Sequence, residues 1–271
     1  MAEQPLYDGV SPDTLGELIG AEHLHVYDSV ASTMDIAHDL ARSGAPGGTL
    51  ILADTQTAGR GRSGAPWVSE PGQGIWMSLV ERPADPSALH VLSLRAGLGA
   101  ARALDLFADE PIRLKWPNDL FSREKKLGGI LIEARWRDLE LEWVVIGLGI
   151  NVREPAGIDA GALEPGTTRI DVLADLIPEV RAAAAATGLL DANEMSEFDG
   201  RDFARGKRCT QPAIGTVQGI TNSGELLVAL ADTTVKFRSG SLALERNSAG
   251  DARAGPPANG SNQRAQAERF R

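Results

Sequence analysis

Apolar residues at Leu89, Leu92, Ala96, Gly99, Ala103 and Leu106 recur at helical spacing, so residues 87–107 are expected to form the longest helix. Shorter apolar runs bounded by turn residues read as strands at 23–28, 49–54, 74–80, 112–116, 129–136 and 141–150. The last two close as a hairpin around Arg137-Asp138. Ser11-Pro12 opens a short helix that Gly20 ends, because proline is pre-set for the first helical position. A second helix starts at Ser32 and runs to about residue 42, where Gly44, Pro46, Gly47 and Gly48 stop it. Residues 168–187 read as a helix broken or kinked at Pro178, and 194–205 as the last helix. The glycine-rich loop 57–73 stands out, since a loop of that length in a compact domain is functional or disordered more often than not.

Beyond residue 210 the pattern changes. Short alternating segments in 211–244 are broken by Gly215, Gly219, Asn222-Ser223-Gly224 and Ser239-Gly240, which suggests a small all-β unit. From Asn247 onward almost nothing can be buried, and disorder is expected. The chain thus divides into a larger unit at 1–207, a small β-unit at 208–246 and a tail at 247–271.

Charge narrows the function. A net charge of −10 over 271 residues argues against nucleic acid as a main partner, because phosphate binding needs a basic footprint. Any phosphate chemistry must come from a local basic cluster. Cys209 is the single cysteine, so no intrachain disulfide forms and a reducing cytoplasm fits. The start, MAEQPLYDGV, lacks the features of a signal peptide, and the most apolar run, 143–150, is too short to span a bilayer. Four scattered histidines and one cysteine do not make a zinc site of the usual spacing.

Three of the five lysines, Lys115, Lys125 and Lys126, fall in or just after Lys115-Trp116-Pro117-Asn118-Asp119, ahead of Leu127-Gly128-Gly129-Ile130. Lysine is a compact point charge suited to a phosphate or carboxylate oxygen. Ala58-Gly59-Arg60-Gly61-Arg62 follows a strand, and its glycines can turn backbone amides toward an anion that two guanidiniums neutralise. Alone it is a weak signal. Gly147-Leu148-Gly149-Ile150-Asn151 ends a strand but lacks the third glycine and following helix of a dinucleotide fingerprint. Its glycines are better suited to close approach by a ligand, with the Asn151 amide at hand. Ser32-Thr33-Met34-Asp35 on its own could be only a capping box.

Together and in this order, STMD, Gln56 with AGRGR, Trp67, KWPND, KKLGGILIE and GLGIN resemble the biotin protein ligases over roughly residues 20 to 245. The resemblance implies an α+β fold of the class II synthetase and biotin–lipoate ligase type. It consists of a mixed central sheet flanked by helices, with a small C-terminal β-barrel. It implies an ATP-dependent ligase that makes biotinyl-5′-AMP and transfers biotin to a lysine of a biotin carboxyl carrier protein. By residue, Ser32, Thr33 and Gln56 match the positions that hold the ureido ring, with Met34 beside them. Arg60, Gly61 and Arg62 match the loop that closes over biotin and the adenylate. Lys126 matches the lysine near the biotin carboxylate and α-phosphate. Lys115, Asn118 and Asn151 match positions around the ATP phosphates, the metal and the nucleotide, and Trp67 one that packs near the adenine. Mg²⁺ is expected with ATP, without dedicated protein ligands.

Two departures stand out. Met34 replaces a common asparagine, and Ser63 and Ala65 replace residues often basic, which is expected to loosen the hold on the adenylate.

The chemistry agrees with this. A carboxylate attacking phosphorus needs no general base, only cations that offset the repulsion between two anions. Transfer to an amine does need a proton acceptor, and Asp119 is either that group or an ordinary turn residue. A lipoate ligase, a biotin-sensing DNA repressor and a silent binding module are the alternatives. Retention of Lys126, Lys115 and Arg60 counts against the last. The acidic charge and the short stretch before Ser32 count against the repressor. A homodimer stays open.

Overall fold

Helix α1 (Pro12–Ile19) starts where Ser11 Oγ accepts the Thr14 amide and stops at Gly20, whose φ of 68° suits the left-handed cap. It leads into β1 (His23–Val30), α2 (Thr33–Arg42), β2 (Thr49–Gln56) and β3 (Gly74–Glu81). The long helix follows as α3 (Leu89–Leu104), then β4 (Arg113–Lys115), β5 (Asp119–Ser122), β6 (Lys125–Arg137) and β7 (Glu140–Asn151). Helices α4 (Arg169–Ala185) and α5 (Ala192–Arg201) precede β8 (Arg208–Gln211), β9 (Gly215–Ile220), β10 (Leu226–Ala229), β11 (Thr234–Phe237) and β12 (Ala243–Leu244). This computed structural model describes residues 5–83 and 85–245, and the tail expected to be disordered lies outside them.

Seven strands form one mixed sheet in the order β1-β2-β3-β7-β6-β5-β4. Only β1 and β2 are parallel, joined through α2, and the other neighbours are antiparallel. Strand β2 is buried on both faces, so it reads as a continuous apolar run. Ile51 points to one side, where Met34, Ala37 and Ala41 of α2 meet Val80, Trp143 and Val145. Leu50 and Leu52 point to the other, into the main core with Leu98 of α3 and Leu176 of α4. The expected α+β architecture with flanking helices is present.

The differences have local causes. Strand β5 was not expected; four residues are too few to display a period. Helix α3 is shorter than 87–107 because single 3-10 turns flank it, the second fixed by Asp105 accepting the Ile112 amide at 2.7 Å. Helix α4 continues through Pro178 with Leu176, Ile177 and Val180 buried around it, so packing outweighs the lost hydrogen bond. The last helix lies earlier than 194–205. An Asp191/Glu194 capping box starts it, and Asp202 turns the chain by accepting the amides of Ala204 and Arg205.

The C-terminal β-unit is an antiparallel five-stranded sheet ordered β11-β10-β9-β8-β12. Among the described residues no β11–β12 ladder closes it. It is tied to the larger unit at the KWPND turn, where buried Trp116 donates its indole N–H to Gly224 O at 2.9 Å. Ending the chain after Lys207 would leave that donor unpaired and uncover the core around Val217 and Val228. Such a truncation is expected to lower Tm by more than about 8 °C in a thermal melt, well beyond what a surface change produces. An unchanged Tm would refute this boundary.

Candidate active site

Strands β6 and β7 carry glycines at directly opposed positions, Gly129 facing Gly149, with Gly147 facing Leu131. A sheet surface without side chains there leaves a hollow, and a cavity of about 250 Å³ lies over it. The space above the β7 glycines is already used. A Cβ at Gly149 would come within 2.5 Å of the Trp67 indole, and one at Gly147 within 2.7 Å of Met34 Sδ. The expectation that these glycines admit a ligand is therefore revised: in this structure they admit Trp67 and Met34.

One end of the cavity carries uncharged polar groups. Ser32 and Thr33, at the start of α2, are buried there. The Thr33 amide donates to Gln56 Oε1 at 2.9 Å, Thr33 Oγ1 donates to the same oxygen at 3.2 Å, and Gln56 Nε2 donates to Ser69 Oγ at 3.0 Å. Thr33 Oγ1 also shares a 2.8 Å hydrogen bond with Ser78 Oγ. Gln56 is thus fixed by the protein, with one amide N–H left over. Ser32 Oγ is buried and has no hydrogen-bond partner among the described residues. Ser32 makes no side-chain cap bond to α2, so the alternative reading of STMD as only a capping box fails.

The other end is cationic. A β-bulge at Leu127 shifts the β5–β6 register, so Leu120 faces Gly128 while Phe121 faces Lys126. Strict alternation would put Lys126 and Gly129 on opposite faces. The extra residue brings them together: a Cβ at Gly129 would lie 3.7 Å from both Lys126 Cε and Asp119 Oδ1. Lys126 Nζ meets Asp119 Oδ1 at 2.7 Å and stands 5.3 Å from the Trp67 ring centroid. Lys115, whose backbone pairs with Asp119, sets its ammonium over the Phe121 ring at 5.8 Å. Burial pulls the Lys115 ammonium below the ordinary lysine range, a shift that Asp119 opposes and Lys126 reinforces.

Loop 57–73 closes the cavity as a folded flap. Trp67 N donates to Gly59 O at 2.9 Å, Gly61 N donates to Ala65 O at 2.7 Å, and a single 3-10 turn spans Arg62–Gly64. Arg60 lines the cavity but is also clamped: its Nη1 lies 2.8 Å from Asp35 Oδ1, and its Nε and Nη2 donate to Glu133 at 3.4 Å each. Arg62 reaches across to Gly240 O at 3.2 Å. Partial burial alone would raise the Glu133 carboxyl, yet contacts with Arg60 and His38 outweigh it and hold that group below its usual range.

Ser32, Thr33, Met34, Gln56, Arg60, Gly61, Arg62, Trp67, Lys115, Asn118, Asp119 and Lys126, all expected at the site, do gather at this one cavity. Asn118 spends its side-chain amide on Ile130 O at 2.7 Å while Ile130 N donates back to Asn118 O, which staples the KWPND turn to β6. Asn151 is not in the lining; it is buried and donates to Gly161 O at 3.1 Å. Glu133 and Asp35 were missed, although Glu133 closes the KKLGGILIE run and Asp35 the STMD run. Ser241 and Leu242 also line the cavity, and no local pattern in the chain announces that.

A model described as "Biotin/lipoate A/B protein ligase family" matches residues 26–151. A bifunctional ligase/repressor of Bacillus spizizenii is 39% identical over 155 residues, which is 57% of this chain and 46% of the relative. The chain therefore spans less than half the length of that curated relative. A biotin–[acetyl-CoA-carboxylase] ligase of Mycobacterium tuberculosis is 30% identical over 249 residues, covering 83% of this chain and 92% of the relative. Among solved structures, the biotin protein ligase of Aquifex aeolicus in complex with biotin and ATP superposes with a TM-score of 0.65 at 25% identity. That superposition covers 83% of this chain and 100% of the other. With a near full-length relative and a shared fold, the chain belongs to the biotin/lipoate A/B protein ligase family.

Proposed function

We propose that this protein joins biotin to ATP, giving biotinyl-5′-AMP and pyrophosphate, and then moves biotin onto a lysine of a biotin carboxyl carrier protein. The observation that carries the reading is the two-ended cavity. A buried Ser32 hydroxyl without a partner among the described residues and a fixed Thr33–Gln56 pair lie at one end, and Lys126 and Lys115 at the other. Biotin has that polarity, with a hydrogen-bonding ureido ring at one end and a carboxylate at the other.

In the first step a biotin carboxylate oxygen attacks the α-phosphorus of ATP, and the bond to pyrophosphate breaks. The nucleophile is already an anion, so the protein's work is to hold two anions together. The Lys126 ammonium, with Lys115 and Arg60, supplies charge in a partly water-excluded site where it counts for more. Lys126 would exchange Asp119 for the substrate oxygens. In the second step a neutral lysine amine attacks the acyl carbon, AMP leaves, and the amine gives up a proton. Asp119, freed from Lys126, would accept it, a role its carboxylate beside Lys126 supports. Among the described residues no group of three or more His, Cys, Asp or Glu side chains could hold a metal ion, so Mg²⁺ enters this proposal with the ATP phosphates. The mycobacterial relative is named for acetyl-CoA carboxylase, which supports a carrier domain of such an enzyme as the partner. The described residues include no helix long and apolar enough to cross a membrane, and the cytoplasm, where ATP is made available, is the proposed setting.

Lys126→Ala is expected to lower biotin-dependent ATP–pyrophosphate exchange by roughly 10²–10³-fold, the usual cost of deleting a charge-stabilising group. Near wild-type exchange would overturn the assignment of Lys126.

Discrimination against lipoate tests the polar end. The dithiolane of lipoate offers neither donor nor carbonyl, so the Ser32 hydroxyl and the remaining Gln56 amide N–H would face it without a partner. Rejection by roughly 10⁴-fold in exchange rate is expected. Met34 contacts either ring through dispersion only, so Met34→Asn should tighten biotin binding. Comparable turnover of the two acids would make this a lipoate-type enzyme.

Trypsin should cut after Arg60 faster in the free protein than with biotin and ATP together, because ligand adds contacts to a flap whose side-chain ties to Asp35, Glu133 and Gly240 are all part-exposed. Equal cutting in both states would contradict closure of the flap on substrate.

A further inference from the structure

Behind the flap, on the side away from the cavity, a chain of contacts runs from the sheet to Arg60. The buried Trp143 of β7 donates its indole N–H to His38 Nδ1 at 3.0 Å. That bond requires an unprotonated Nδ1, so the neutral His38 ring carries its hydrogen on Nε2, which faces Glu133 Oε2 at 2.9 Å. Glu133 in turn takes Nε and Nη2 of Arg60 side-on, while Asp35 meets Nη1. Four elements contribute: β7, α2, β6 and the flap.

A guanidinium has five N–H groups in a fixed plane. Glu133 engages two and Asp35 one, leaving one N–H on each terminal nitrogen. Because the guanidinium plane is set by the side-on pair, Glu133 decides in which direction those two remaining donors point. Arg60 lines the cavity as well as this outer cluster, so they are the ones available to a substrate oxygen.

We propose that Glu133, braced by His38 and Trp143, is a positioning residue for the adenylation step, acting by fixing which edge of Arg60 faces the substrates. It touches neither reactant itself. The inference rests on the proposed biotin–ATP chemistry for its kinetic consequence, and on geometry alone for the clamp. An arginine on a glycine-rich flap has many rotamers to lose, and a pre-set one loses fewer when the anion forms. A misplaced cation costs catalysis steeply, since charge stabilisation depends on donors already in place.

A double-mutant cycle is the test, because two residues that act as a unit give non-additive effects. Glu133→Gln keeps the size of the side chain and removes its charge. It is expected to lower kcat/KM of pyrophosphate exchange by roughly ten- to a hundredfold with Tm shifted by less than about 2 °C. In an Arg60→Gln background the same change should alter kcat/KM by less than about twofold. His38→Ala should act in the same direction, more weakly, and also only when Arg60 is present. Losses that add in the double variant, or exchange that rises in Glu133→Gln, would overturn the proposal. A wild-type protein without exchange would instead sink the proposed function, and the clamp is then read without catalysis. The Arg60 Nε–H in nitrogen-15 NMR should exchange with water at least about tenfold faster in Glu133→Gln, as expected when a charge-assisted bond to that hydrogen is lost. Unchanged exchange of that hydrogen would refute the clamp.

Discussion

The site depends on a patch of sheet that has no side chains. Gly129 and Gly149 face each other across β6 and β7, and close-packed interiors normally fill such positions. Their emptiness lets Trp67 approach the sheet closely, which brings the flap down, with Lys126 against its aromatic ring and Arg60 in the cavity lining. Methyl groups at Gly149 or Gly147 would meet Trp67 or Met34 first, so the hollow, the flap and the depth of the cavity have one origin. Backbone approach explains the glycines here better than turn-making does.

Charge is arranged around that hollow in alternating signs. Lys126 is held by Asp119, Lys125 by Asp159 and Arg60 by Asp35 and Glu133, so most of the cations around the hollow already have carboxylate partners. On the proposed chemistry, an incoming carboxylate and triphosphate would exchange partners with carboxylates that are already present. Such exchange avoids leaving cations bare in the free protein, where two lysines close together would repel each other. It also means that the substrates must win against internal carboxylates, so binding strength reflects a difference between two ion-pair sets.

The large elements were legible because they obey simple periods. The helical spacing of Leu89 to Leu106 and the continuous apolar run of β2 both follow from which faces are buried. The site residues were legible for another reason: KWPND, KKLGGILIE and GLGIN are short, ordered and chemically specific, and of the site residues expected from them Lys115, Asn118, Asp119 and Lys126 line the cavity while Asn151 does not. What stayed hidden was tertiary in origin. The Leu127 bulge reverses which face Lys126 occupies, and alternation along β6 gives no sign of it. Asp35 and Glu133 looked like the polar ends of an α2 start and a β6 run until the flap delivered Arg60 between them. Strand β5 was too short to have a pattern of its own.

The cavity wall includes Ser32 near one end of the described chain and Leu242 near the other, and Trp116 in its middle hangs from Gly224. During synthesis the large sheet can assemble while the last strands are still inside the ribosome, but the wall stays open until they emerge. A nascent chain would therefore hold its cationic end exposed without the enclosure that excludes water. Enclosure of the cavity thus depends on strands far along the chain from the lysines and the flap that it shelters.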